Sequence, residues 1–270
     1  MEISALIPCY NHAETITQTI ASIRRQSASV RDLTVIDDGS TDPSVERATL
    51  AGARVVALGA NLGRGAARAR ALAETNASLA LMCDATLALP KDFIETAMRW
   101  FDEPRVAAVF GRVAPSQSRG VADRWRTRHL FKTTAPAAPD RSGLLATGAC
   151  LFRTEAVRAV GGFDASLRHG EDADLGRRLL AAGWQVVSDP ALRAEPLRRD
   201  SVVEVLERYT RWNSPEPMPW RHYPRQISYA AKVMAREDLR SGDPLAALLS
   251  MICPHYQFWR PRLRKIGRPS

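Results

Sequence analysis

The stretch Leu33-Thr34-Val35-Ile36-Asp37-Asp38-Gly39-Ser40-Thr41-Asp42 leaves this chain few ways to fold. Its first half is apolar and β-branched and reads as a buried strand. It then stops at two carboxylates, a glycine and two hydroxyls. Thr41 or Asp42 can cap a following helix, because a short side-chain oxygen accepts a free N–H of the first turn. Strand, polar turn and helix describe the carboxyl end of a strand in a parallel sheet, where open α/β folds bind ligands. Two adjacent carboxylates on that edge suit hydrogen bonds to a base or a ribose. An Asx turn with a helix cap explains the same residues without a ligand, so the rest of the chain decides.

Ile3 to Ile7 reads as a strand ended by Pro8, and Ile16, Ile20 and Ile23 then recur at helical spacing. Arg54–Leu58, Leu79–Met82 and Val106–Val113 read as further strands with helices between them. The order β-α-β-α-β-α-β-α-β predicts an α/β fold, a mostly parallel sheet with helices on both faces. Asn61-Leu62-Gly63-Arg64-Gly65-Ala66-Ala67-Arg68 is a glycine-rich turn that opens a helix. Helix N-termini favour anions, and Arg64 and Arg68 stand one turn apart. A diphosphate or a solvated arginine face both fit there. The GxGxxG spacing is not met and the turn follows the third strand, which excludes a Rossmann oxidoreductase.

Residues 114–142 read as a polar, irregular loop with Trp125, the basic run Arg124, Arg126 and Arg128, and prolines and alanines over 135–139. Leu144–Phe152 reads as a strand carrying Thr147-Gly148-Ala149. Glu171-Asp172-Ala173-Asp174 opens a helix with Leu175, Leu179 and Leu180 as its apolar stripe; the helix dipole alone favours carboxylates there. Gln185–Ser188 reads as the last strand. An amphipathic helix over Ser201–Trp212 follows, its Trp212 expected inside. After it come a proline-rich link (Pro215, Pro217, Pro219) and helices near 225–240 and 243–252.

The net charge of +9 is unevenly spread, since residues 193–270 hold 15 Lys+Arg against 8 Asp+Glu. An anionic membrane, a phosphorylated acceptor or nucleic acid would each attract such a segment. Specific nucleic-acid binding leaves unexplained why the charge avoids the α/β part. Tyr256, Phe258 and Trp259 beside Arg260, Arg262, Arg264 and Lys265 suit peripheral contact with a membrane interface; a packed helical extension with a solvated basic tail is the alternative. No apolar run reaches the roughly 18 residues that span a bilayer. Cys9, Cys83, Cys150 and Cys253 form no CxxC pair, and the first residues carry no basic leader. Both features lead us to expect a cytoplasmic protein.

Five segments, taken in order, resemble the family-2 inverting glycosyltransferases of the GT-A fold. They are Ile7-Pro8-Cys9-Tyr10-Asn11, Ile36–Asp42, Asn61–Arg68, Gly161–Asp164, and Glu171-Asp172-Ala173-Asp174-Leu175 with Arg178 and Gly183-Trp184. The resemblance covers about 1–195, leaving a basic helical extension over about 196–270. It implies a nucleoside-diphosphate sugar donor, UDP-type, and a saccharide or lipid-linked acceptor. Pro8, Tyr10 and Asp38 would lie on the nucleotide, with Asp38 bonded to the base and Arg64 and Arg68 close by. Asp172 would be the general base, with Glu171 beside it. Inverting transfer is one in-line displacement, so a single carboxylate on the acceptor side suffices. Gly148, Arg211 and Trp212 would lie on the acceptor side, since Arg208-Tyr209-Thr210-Arg211-Trp212 resembles a QxxRW motif with its Gln replaced.

A divalent cation, Mn²⁺ or Mg²⁺, on an Asp-x-Asp motif normally neutralises the departing diphosphate in this family. Counting back from Pro90 puts that motif on Cys83-Asp84-Ala85, where only the middle residue is acidic. Three accounts stand open. Asp84 takes the metal by a register shift, with Thr86 helping; arginines replace the cation; or the protein binds a nucleotide sugar without transferring it.

Overall fold

The computed structural model describes residues 1–115, 120–130, 138–141, 144–213 and 218–266. Pro215 and Pro217 of the expected link, and most of the 135–139 stretch, lie outside the described residues. The chain divides into two compact units, Met1–Ala114 with Pro136–Arg198, and Pro115–Ala135 with Arg199–Ser270.

The first unit runs β1 Ile3–Cys9, α1 Ile16–Arg24, β2 Asp32–Asp37, α2 Ser44–Leu50, β3 Arg54–Ala57, α3 Arg64–Ala73, β4 Leu79–Cys83, β5 Leu87–Ala88, α4 Phe93–Met98 and β6 Val106–Val113. After α5, which belongs to the second unit, it continues with β7 Ala149–Arg153, α6 Thr154–Ala159, α7 Glu171–Ala181 and β8 Gln185–Pro196. The sheet order is β3-β2-β1-β4-β7-β6-β8-β5. β1 pairs in parallel with β2 and β4, and β2 with β3. Period-two alternation sends Leu79, Leu81, Cys83 and Ala85 to one face, with α1 and α4. Ala80 and Met82 go to the other, with α3, α6 and α7. Asp84 continues that second set.

Two sequence expectations change here. The strand expected over Leu144–Phe152 shrinks to β7, which enters antiparallel between β4 and β6, so β6 does not extend the parallel run. The strand expected over Gln185–Ser188 runs on to Pro196, paired with β6 through two register shifts.

The second unit is helical: α5 Val121–His129, α8 Val202–Asn213, α9 Tyr223–Tyr229, a π-helical stretch Ala230–Ala235, α10 Arg236–Arg240 and α11 Pro244–Ile266. The loop expected over 114–142 thus contains a helix. Val121, Ala122 and Trp125 are its inward side, hidden in the sequence by the charges between them. Trp125 is fully buried, and its Nε1 donates to Ser250 Oγ at 2.8 Å. The basic run is drawn inward as well. Arg124 pairs with Asp243, Arg126 with Asp200 at 2.8 Å, and Arg128 with Asp238, which is wholly buried. Buried charges persist only when paired in this way. On α8 the buried side chains are Val205, Leu206 and Tyr209, whereas Trp212, expected inside, is half exposed.

Candidate functional site

Each of the first loops at the carboxyl edge of β1, β2 and β4 is tied to its neighbour. Asn11, at φ 56°, is the one non-glycine residue with positive φ among the described residues, a conformation that Asn tolerates best. Its Oδ1 accepts the N–H of Thr41 at 2.8 Å, and its own N–H goes to Ser40 Oγ at 2.9 Å. The N–H of Ala13 donates to Asp42 at 3.0 Å. Asp42 therefore braces the loop after β1 rather than capping α2 alone. Pro8 is the one half-buried residue of β1, between buried Ile7 and Cys9, and Tyr10 stands exposed just past the strand.

Asp38 is buried, and its carboxylate accepts the N–H groups of Leu62 at 2.7 Å and Gly63 at 2.9 Å. It fixes the turn into α3, and its remaining lone-pair capacity is what a base could use. Gly39 keeps this junction open, since a Cβ there would come within 2.6 Å of the Ala60 backbone. The glycine-rich turn is not an open anion cradle. The Gly65 N–H donates to Leu167 O at 3.0 Å, and a Cβ on Gly65 would lie 2.2 Å from Asp164 O. This glycine exists to admit the 164–167 loop. Arg178 holds the same loop from α7, pairing with Asp174 at 2.8 Å and donating to Gly162 O at 2.7 Å.

Arg64 and Arg68 separate sharply. Arg64, on the first turn of α3, is exposed and makes no ion pair among the described residues. Arg68 is only 3% exposed and bridges two carboxylates, Asp84 at 2.9 Å and Glu171 at the head of α7. Glu171 is as buried as Arg68, whereas the Asp84 side chain stays 39% exposed. Gly148 makes room for it: its carbonyl accepts the Asp84 N–H at 2.7 Å, and a Cβ would stand 3.1 Å from Asp84 Oδ2. Asp172 follows Glu171, half buried. Its Oδ1 takes only the Ala173 N–H at 2.9 Å, and it makes no ion pair among the described residues. Burial pushes the Cys150 thiol pKa up; the Arg68 charge opposes this and the Asp172 charge adds to it, which puts all three side chains in one neighbourhood.

His12 belongs to this edge and was missed in the sequence, where it is only the residue after Tyr10-Asn11. Burial lowers its pKa, and the charges acting on it next are Asp84, Arg198, Asp42 and Arg64. The imidazole is therefore held neutral beside a partly open carboxylate. Arg211 and Trp212 lie at the end of α8, in the other unit.

A protein-held divalent cation does not fit these residues. Asp84 is a single carboxylate with one oxygen on Arg68. Ala85 is 1% exposed and packs with the core on the opposite face, and its carbonyl accepts Thr15 Oγ1 at 2.7 Å. Among the described residues no group of three His, Cys, Asp or Glu could hold a metal. Hard cations take several oxygen ligands, so one shared carboxylate is a poor site.

Residues 4–161 match the sequence profile of glycosyl transferase family 2. The chain belongs to that family. It is 28% identical over 266 residues to the pre-mycofactocin glycosyltransferase of Mycobacterium tuberculosis, covering 93% of this chain and 55% of that protein. It is 30% identical over 196 residues to the succinoglycan biosynthesis protein ExoA of Rhizobium meliloti, covering 67% and 58%. The chain thus spans little more than half the length of these curated relatives. The mannosyltransferase PcManGT of Pyrobaculum calidifontis, solved with GDP-Man and Mn²⁺, superposes with a TM-score of 0.57 at 16% identity, over 100% of this chain and 76% of that one. The fold is GT-A-like, a mostly parallel sheet wrapped by helices with further helices after it.

Proposed function

We propose that this protein transfers a glycosyl unit from a nucleoside-diphosphate sugar to an acceptor hydroxyl with inversion. The observation that carries the reading is Asp172, a half-buried carboxylate with no ion pair among the described residues, beside the ion-paired Glu171–Arg68–Asp84 chain. Its neighbours fix its place while leaving its charge available. In the transfer, Asp172 takes the acceptor proton as the acceptor oxygen attacks the anomeric carbon. The bond from that carbon to the diphosphate breaks on the opposite side. The departing diphosphate needs positive charge aimed at it. We assign that charge to side chains, chiefly Arg64, with Arg198 at the same edge; the neutral His12 there can donate a hydrogen bond but no charge. A metal, where family members use one, supplies this same neutralisation. The donor is a UDP-type sugar and the acceptor a saccharide or lipid-linked sugar; Asp38, Pro8 and Tyr10 serve the nucleotide and Gly148 the acceptor side. The setting is the cytoplasmic face of a membrane. Among the described residues no helix is long and apolar enough to cross one.

The test is a thermal-shift panel of UDP, GDP, CDP and dTDP and their sugars, each with Mn²⁺ and with EDTA. A ligand at 100 times its Kd adds about 2.7 kcal/mol to the native state. UDP and a UDP-sugar are expected to raise Tm equally in both conditions. No response to any nucleotide would sink the transferase reading, and a response only with Mn²⁺ would sink the side-chain neutralisation.

Position 85 provides a second check. Ala85→Asp would push an unpaired carboxylate among Ile and Leu side chains and is expected to cost about 3–5 kcal/mol in urea denaturation, without metal-dependent turnover. Turnover that appears only with Mn²⁺ in this variant would mean that the native edge is a degraded metal site.

A further inference from the structure

The sequence placed membrane contact at Tyr256, Phe258, Trp259 and the arginines after them, and most of that cluster is otherwise engaged. Phe258 is buried, with Tyr223 stacked on it at 4.1 Å and the Arg262 guanidinium 3.7 Å from its ring centroid. Arg260 and the Tyr256 hydroxyl both bond to Glu207. Of the cluster's aromatics only Trp259 remains exposed. The side chains of Arg264 and Lys265 lie outside the described residues.

A different surface is left open. α11 is 23 residues long, and one side of it carries Leu245, Leu248, Ile252, Trp259 and Leu263. With 3.6 residues per turn these share a narrow stripe, and each is between 44% and 62% exposed. His255, bonded to the Tyr223 hydroxyl at 2.6 Å, is the one polar residue in line with them. Trp220, itself exposed, meets Trp259 edge-on at 6.0 Å and widens the stripe. An apolar row of this length is not what water-facing helices carry.

The charge around it is one-sided. Residues 218–263 contain three acids, Glu237, Asp238 and Asp243. Asp238 and Asp243 are buried against the arginines of α5. Arg221, Arg225, Lys232, Arg236 and Arg240 are exposed and make no ion pair among the described residues. All but Arg221, which stands just before α9, lie on the helices that pack against α11. Two of the three acids that would balance them in a residue count are spent inside the unit, and only Glu237 keeps a partly exposed carboxylate.

We propose that this unit docks on an anionic lipid surface, with α11 lying in the interface plane. Its apolar stripe enters the boundary between headgroups and acyl chains, and the exposed arginines and Lys232 meet lipid phosphates. An exposed apolar stripe with tryptophans toward one end, in a unit whose exposed charge is mostly basic, is what that interface binds. A second copy of the chain fits less well, because pairing two stripes brings two uncompensated basic sets together. This surface is independent of the transferase reading.

The test is co-sedimentation of the full chain with phosphatidylcholine vesicles, with and without phosphatidylglycerol. Binding is expected only to the anionic vesicles and is expected to weaken as salt rises. The triple variant Leu248→Glu/Ile252→Glu/Trp259→Glu changes exposed positions only. It should keep the wild-type melting midpoint and lose roughly tenfold or more of the binding. No sedimentation with anionic vesicles, or equal sedimentation of the triple variant, overturns the proposal. So does a lipid-free dimer in analytical ultracentrifugation that the same substitutions turn into monomer, which would give the stripe to a second copy.

Discussion

Asp172→Asn is expected to lower glycosyl transfer about 10²- to 10⁴-fold, the usual contribution of a positioned general base. The substitution keeps the size of the side chain and its bond from the Ala173 N–H. It breaks no ion pair among the described residues, so the melting midpoint should not move. The thermal shift given by the donor nucleotide should be unchanged as well, because this carboxylate is assigned to the acceptor. Single-turnover assays with saturating donor separate the chemical step from binding. Wild-type turnover in this variant would remove Asp172 from the reaction. A lost nucleotide shift would move it to the donor side.

The second large effect is structural. Arg68→Met leaves Glu171 as a buried carboxylate with no cation, at a site where its Oε2 already lacks a hydrogen-bond partner among the described residues. Breaking a buried pair from one side costs about 3–5 kcal/mol, because the stranded charge keeps its desolvation penalty. Urea denaturation of Arg68→Met should show a loss of that order. Asp84 adds little to it, since its side chain is partly solvated and can recover water. Arg68→Met/Glu171→Gln should regain part of the stability, as expected of two residues whose effects are not additive. An Arg68→Met midpoint equal to wild type would mean that the buried chain contributes nothing. A double variant no more stable than Arg68→Met would place the loss on Asp84.

Much of the site could be read from the sequence because local chemistry marks it. The Asp37-Asp38-Gly39 edge, the turn into α3 and the acidic start of α7 all combine a strand or helix boundary with unusual polar residues. What those residues touch was not legible. Arg64 and Arg68 are equivalent by helical spacing, yet one faces solvent and the other is buried between Asp84, after β4, and Glu171, at the head of α7. Asp38 reads as a ligand group, and only the fold shows it holding the N–H groups of residues 62 and 63. The direction of β7 was also hidden, since four apolar residues and an arginine fit a parallel or an antiparallel slot equally well. The helix expected near 243–252 runs on as α11 to Ile266, with Pro254 and Pro261 inside it.

The division of the chain into units has a consequence for how the protein is made. α5 is synthesised some seventy residues before Arg199 begins the rest of its unit. Until Asp200, Asp238, Asp243 and Ser250 have emerged from the ribosome, Trp125 has no hydroxyl to bond and three arginines have no long-range counter-ions. The early helix must wait, solvated, while the α/β unit gathers, and contacts of such long sequence separation close slowly. Cutting the gene after residue 198 would make that wait permanent. The truncated α/β unit would carry an orphaned helix with an exposed tryptophan, a poor starting point for expressing it alone.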